Sequence, residues 1–240
     1  MKSNNRRAAM AVAGVTTVMI LAAVYMGAQE SKPERFDYQV REDLFAGFRG
    51  DQARFDKGMK TCEDALVKDP KNAPAMAWHA AALLFTSGQS FRKGDPQKGM
   101  ELWDRALKES DAAAELEPTN PGVIIPRAAS MMAAARFAPE ALGKPLRQRV
   151  VVDYEKVLEA QESNLQNLGV HPRGELLAGL AENYHWMGNE DKSREMLQRI
   201  EKELEGTVYQ RKATAWLKNP PTDPKADTLT CQGCHTKSAQ

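Results

Sequence analysis

The chain predicts an all-α fold built from helical hairpins that stack on one another. From about residue 38 onward, apolar residues recur at helix spacing with little of the alternation that marks strands. Alanine is abundant while aromatic residues make up only 7% of the 240 residues, which favours helices over sheets. Proline and glycine return at intervals of a few tens of residues, the spacing at which a helix pair repeats. Lys+Arg (33) balances Asp+Glu (32), so no charge bias points to nucleic acid or acidic substrates. With only 3 cysteines, a disulfide framework is not the architecture.

The N-terminus reads as an export segment. Lys2, Arg6 and Arg7 precede an apolar run over residues 8–28, in which Thr16 and Thr17 are the clearly polar members. About twenty apolar residues suffice to cross a bilayer as a helix. That exceeds the apolar core of a cleaved signal peptide, roughly 7–15 residues, and Met26-Gly27-Ala28 is a poor cleavage site. Residues 1–30 are therefore expected to form a cytoplasmic N-terminus and a transmembrane signal-anchor helix, with a cleaved signal as the alternative. Positive charge stays inside, so the rest of the chain faces the periplasm or exterior of a bacterial cytoplasmic membrane, crossed once. Residues 31–38 are a polar tether.

Residues 39–217 carry the repeats. Gly58, Cys62, Ala65 and Pro70 recur at identical offsets as Ala106, Ser110, Ala113 and Pro118, the pattern of a second helix closed by proline. Trp78, Ala81, Ala82 and Phe85 recur as Leu177, Leu180, Ala181 and Tyr184, the pattern of a first helix. Gly188 then supplies a turn, and Ser193, Leu197 and Ile200 continue as its second helix. Small residues let paired helices approach, and each pair has a face left to bury on its neighbour. These segments resemble tetratricopeptide repeats, which implies a solenoid with a concave, partner-binding groove lined by the first helices. The helix pairs are expected over 39–70, 73–118, 121–165 and 172–204, with Val150, Tyr154 and Val157 in the second helix of the third. Residues 87–100, with Gly88, Gly94, Asp95 and Pro96, read as a surface loop inserted in the second pair. Residues 207–217 read as a capping helix packed through Val208, Ala215 and Trp216. Met131 and Met132 are core residues on an alanine-rich helix, and Cys62 is a buried small hydrophobe.

Residues 218–240 are an irregular tail. The prolines of 219–227 stop the helix and predict a semi-rigid spacer of about 25–30 Å reach. Beyond it stand Cys231, Cys234 and His235 in a C-x-x-C-H run. In an exported chain this spacing places each thiol on one vinyl group of a porphyrin, with the adjacent imidazole on the iron. One covalent haem c is the expected cofactor, with His235 as its proximal ligand. A redox dithiol should sit between a strand and a helix, and zinc lacks a second cysteine pair. The run resembles the haem site of c-type cytochromes, and the resemblance stops at the motif. Nothing in the five residues that follow builds a cytochrome domain, so another surface has to cover the haem faces.

The sixth iron position is open to several candidates. His79 and His185 each follow a core residue of a first helix and are expected to face the groove, whereas His171 lies in the loop before the last first helix. His185 is nearest the tail along the chain and is the favoured distal ligand, with His171 and His79 as alternatives. Trp186 beside it can pack on a porphyrin face. No phosphate-binding loop or nucleophile motif is present, and the carboxylates fall on solvent faces of helices, so the chain does not read as an enzyme. Two functions follow. One is a membrane-tethered monohaem c-type cytochrome whose repeats dock a protein redox partner or complex subunit. The other is a repeat scaffold for assembly in the periplasm, with haem secondary or absent.

Overall fold

The computed structural model describes residues 35–230. The expected membrane anchor and the residues Cys231, Cys234 and His235 lie outside the described residues. Among the described residues the chain is all-helical, with nine α-helices and no strand. They are α1 (Phe36–Phe48), α2 (Gln52–Lys68), α3 (Ala73–Arg92), α4 (Pro96–Leu116), α5 (Pro121–Phe137), α6 (Glu140–Gln161), α7 (Val170–Trp186), α8 (Glu190–Glu203) and α9 (Val208–Lys218), with a 3₁₀ helix Glu162–Asn167 before α7.

The helices pack as successive pairs, α1 with α2, α3 with α4, α5 with α6 and α7 with α8. Their bounds match the expected pairs to within a few residues. Short turns force each pair to run antiparallel. The turn after α7 uses Gly188 at φ +77°, where a side chain would be strained. Asn189 then caps α8, accepting from the backbone N–H of Lys192. The pairs are joined by α3 packing on α1 and α2, α5 on α3, α7 on α6 and α9 on α8.

The expected loop over 87–100 is instead helix. α3 runs on to Arg92, and α4 begins at Pro96. The extra residues lengthen both helices and leave a three-residue turn. Gly94 (φ +80°) makes that turn, Asp95 Oδ1 accepts from Lys98 N at 2.9 Å, and Pro96 takes the first-turn position where no N–H is needed. Turn residues were present, but Gly88 is merely a helical residue. The final helix is also rotated from expectation. Tyr209, Ala213 and Trp216 are buried on α9, Val208 is partly buried, and Ala215 is exposed.

Two apolar clusters form the interior. The smaller joins Val40, Leu44, Phe55, Cys62, Trp78 and Ala82. Cys62 is fully buried, and burial, aided by Glu109 and Glu63, pushes its thiol up to about 12, so it is a packing residue. The larger cluster runs from α3 to α9, includes Met131, Met132, Tyr154, Leu177 and Trp216, and also takes in Leu229 beyond the last helix. Gly179 permits the closest approach, since a Cβ there would lie 2.2 Å from Cε2 of buried Tyr154. A buried ion network ties α4, α5 and α6. Arg127 donates to Asp153 (2.6 Å) and Ser110 (2.6 Å) and pairs with Asp111 (2.9 Å). Such a buried guanidinium is tolerable only with partners on its donors.

Candidate functional site

The prolines of 219–227 do not carry the chain away from the helices. The segment folds back over α9 and α7. Pro221 O accepts from His185 Nε2 at 2.8 Å, and Trp216 Nε1 donates to Asp227 at 2.8 Å. Lys212 Nζ donates to Thr228 O. The expected semi-rigid extended spacer is thus corrected to a segment bonded to the helices. Proline blocks helix propagation, but it leaves carbonyls and neighbouring side chains able to bond to a surface, and here they do.

The return ends on one carboxylate. Glu182, on α7, is 3% exposed, so its charge requires donors. Arg136 Nη2 donates to Oε1 at 2.7 Å. Thr228 Oγ1 (2.7 Å) and Leu229 N (2.9 Å) donate to Oε2. The Thr228 hydroxyl in turn accepts from Thr230 N at 3.3 Å and lies 3.0 Å from Thr230 Oγ1. Leu229 and Thr230 are consequently 1% and 2% exposed. Thr230, the residue immediately before Cys231, is therefore buried through its bonds to Thr228.

Beside Glu182 lies a recess lined by Met132, Arg136, Arg147, Trp186 and Pro224. Trp186 packs edge-on against His185 (ring centroids 4.5 Å) and Trp216 (6.1 Å). Arg136 Nε and Trp186 Nε1 are both buried with no hydrogen-bond acceptor. At about 10 Å³ the recess has room for about one water between these two donors and none for a porphyrin edge.

The histidines are placed less simply. His185 is at the end of α7 as expected, but both ring nitrogens are engaged. Nε2 meets Pro221 O, and Nδ1 lies 3.1 Å from Glu190 Oε1. Iron binding at either nitrogen requires release of one of these contacts. His171 is exposed in the first turn of α7, not in a preceding loop, with Nδ1 3.0 Å from Tyr209 Oη. His79 does not face a groove. It is 3% exposed, with Nδ1 2.7 Å from Glu109 Oε1 on α4. α3 is covered by α1, α2, α4 and α5, so a residue beside a core position is itself core. Among the described residues no cluster of three His, Cys, Asp or Glu is placed to hold a metal ion, and no helix is long and apolar enough to cross a membrane.

Sequence reasoning did not find Glu182, Arg136 or Thr228. The usable signal was Glu182 directly after core residue Ala181 and two before Tyr184, a carboxylate on the apolar stripe of a helix. Comparison with known proteins finds no matching family model, no matching curated protein and no matching solved structure.

Proposed function

We propose that the protein is a membrane-tethered, exported monohaem c-type cytochrome that relays single electrons to or from a protein partner docked on a tetratricopeptide-like solenoid. The observation that carries this reading is the Cys231, Cys234, His235 run, which starts one residue beyond the buried Thr230. The thiols of Cys231 and Cys234 would hold the group covalently, and His235 would bind from the proximal side. When bound, haem c supplies a one-electron iron couple. The half-buried ring of Trp186 would exclude water on one side. Glu182 would fix where the attachment segment starts. His185 would serve as the second iron ligand only on release of Pro221 or of Glu190, and its Pro221 contact holds the tail. The exposed surface of the hairpins would recruit the partner, and no catalytic role is assigned. The N-terminal apolar run would keep the protein on the periplasmic side of the cytoplasmic membrane.

The test is production of the full chain in a host competent for haem c attachment. A pyridine haemochrome spectrum typical of thioether-linked haem is expected on the denatured protein, and loss of that haem in the Cys231→Ala/Cys234→Ala variant. A wild-type chain without covalent haem under those conditions rejects the reading.

A further inference from the structure

His171, Tyr209 and Glu175 form a polar chain that no step of the proposed function uses. His171 and Glu175 stand one turn apart on α7 and so share a face. Gly174 lies between them, and a Cβ there would collide with the Tyr209 ring. The missing side chain lets Tyr209 of α9 pack close to α7. Its hydroxyl donates to Glu175 Oε1 at 2.7 Å and lies 3.0 Å from His171 Nδ1. Tyr209 and Glu175 are 3% and 5% exposed, whereas His171 is exposed.

This chain of bonds sets the imidazole tautomer. A carboxylate only accepts, so the hydroxyl proton is committed to Glu175. Toward His171 the hydroxyl then acts as acceptor, which places the proton of the neutral ring on Nδ1 and its lone pair on Nε2. Nε2 has no partner among the described residues. A ring that donates through one nitrogen toward a carboxylate and offers the other is the arrangement of metal-binding histidines. The other two histidines among the described residues lack it. His185 has both nitrogens engaged, with Pro221 O and with Glu190. His79 is buried, with Nδ1 on Glu109 and Nε2 4.0 Å from Glu63.

One nitrogen does not hold a free cation, and among the described residues no three His, Cys, Asp or Glu are placed to do so. The metal has to bring its other ligands with it, as a porphyrin iron with an open axial position does. We propose that His171 Nε2 is the axial ligand of such an iron, with Tyr209 and Glu175 as positioning residues. The choice of haem rests on the haem c reading, while the three residues lie wholly within α7 and α9.

The first experiment uses the full chain carrying Cys231→Ala, Cys234→Ala and His235→Ala, so that neither an attached haem nor the tail imidazole reports. Ferric microperoxidase, a haem peptide with one open axial site, is titrated in, and conversion to its low-spin spectrum gives the affinity. His171→Ala is expected to abolish the conversion, and His185→Ala to leave it unchanged. Tyr209→Phe keeps the ring and removes the hydroxyl, and should weaken binding about 10–100-fold. Glu175→Gln should weaken it in the same direction. Unchanged binding in His171→Ala overturns the proposal. So does binding that needs His171 but is equal in Tyr209→Phe, the behaviour of a bare surface imidazole. If Glu175→Gln fails to fold, the other two variants still decide.

The second experiment separates the two sources of haem, using the haem-loaded chain in its monomeric fraction. A low-spin ferric spectrum that turns high-spin in His171→Ala assigns the iron to the chain's own haem. A spectrum that His171→Ala leaves unchanged, with microperoxidase binding intact in the first experiment, assigns it to the haem of a partner. A chain without covalent haem rejects the haem c reading, and the microperoxidase titration then decides this site alone.

Discussion

Helices α3 and α7 are the same element used in two ways. Aligned on Trp78 with Leu177 and Phe85 with Tyr184, they share the spacing that packs a first helix into a hairpin. Where α3 has Leu83 and Leu84, α7 has Glu182 and Asn183. All four side chains are buried, at 4%, 5%, 3% and 2% exposure. In α3 the pair adds to the apolar core, and neighbouring aromatic rings close the structure, with Phe48 4.8 Å and Phe55 5.6 Å from Phe85. In α7 the pair brings a charge into the interior. That charge is tolerable because Arg136 and the returning segment supply donors to it. Asn183 Nδ2 donates back to Gly179 O of its own helix, so one residue, Glu182, converts the stacking hairpin into one that seats a returning segment.

The sharpest way to break the comparison is to give α7 the α3 residue. Glu182→Leu leaves Arg136 buried without its partner and frees the donors of Thr228 and Leu229. A loss of about 3–5 kcal/mol is expected in denaturant unfolding, with rapid proteolytic cleavage within 219–230. Glu182→Gln keeps an acceptor for Thr228 and Leu229, so its loss should be clearly smaller. Equal losses would show that charge, and not acceptor capacity, seats the tail. Gly179→Ala tests the close approach that α7 alone makes to Tyr154. The added Cβ has no room at 2.2 Å, and overpacking is expected to lower stability by about 1–3 kcal/mol, read as a drop in Tm. Thr228→Val keeps shape but removes the hydroxyl on Glu182. It should cost about 1 kcal/mol and raise hydrogen exchange at Leu229 and Thr230, with helices α1 to α4 unaffected.

The smallest expected effect is a pH dependence that differs between the two ends. Asp43, on α1, is held below the usual carboxylate range chiefly by its hydrogen bond from Lys57, with Arg54 adding. Glu155, on α6, is lowered by hydrogen bonds from Tyr184 and Lys192. A carboxyl whose folded pKa is depressed adds stability above its unfolded pKa, and that contribution is lost as pH falls through the folded value. Tm should therefore decline in acid below the ordinary carboxylate values of 3.8 and 4.5. Lys57→Ala should flatten the part of that decline due to Asp43, and Lys192→Ala the part due to Glu155. A Tm profile identical to wild type in both variants would contradict these assignments.

How much was legible follows from range. Gly58, Cys62, Ala106 and Ser110 announced paired helices because helix period and hairpin contacts are local patterns of residue size. Pro70 and Pro118 announced the helix ends for the same reason. The segment 87–100 misled because Gly and Pro signal a turn without saying how many residues the turn uses. The path of 219–230 was illegible because it depends on a carboxylate some 46 residues earlier in the chain, and no local pattern joins Thr228 to Glu182.

The sequence by itself determined the all-helical pairs, their order and the spacing of Cys231, Cys234 and His235, since these rest on period, punctuation and covalent spacing. The tertiary structure decided which polar residues are interior. His79 became core because α3 is covered by four other helices, while Glu182 became the seat of the tail because donors from α5 and from the returning chain meet there. Burial is a property of neighbours, and neighbours distant in the chain are set only once the hairpins have stacked.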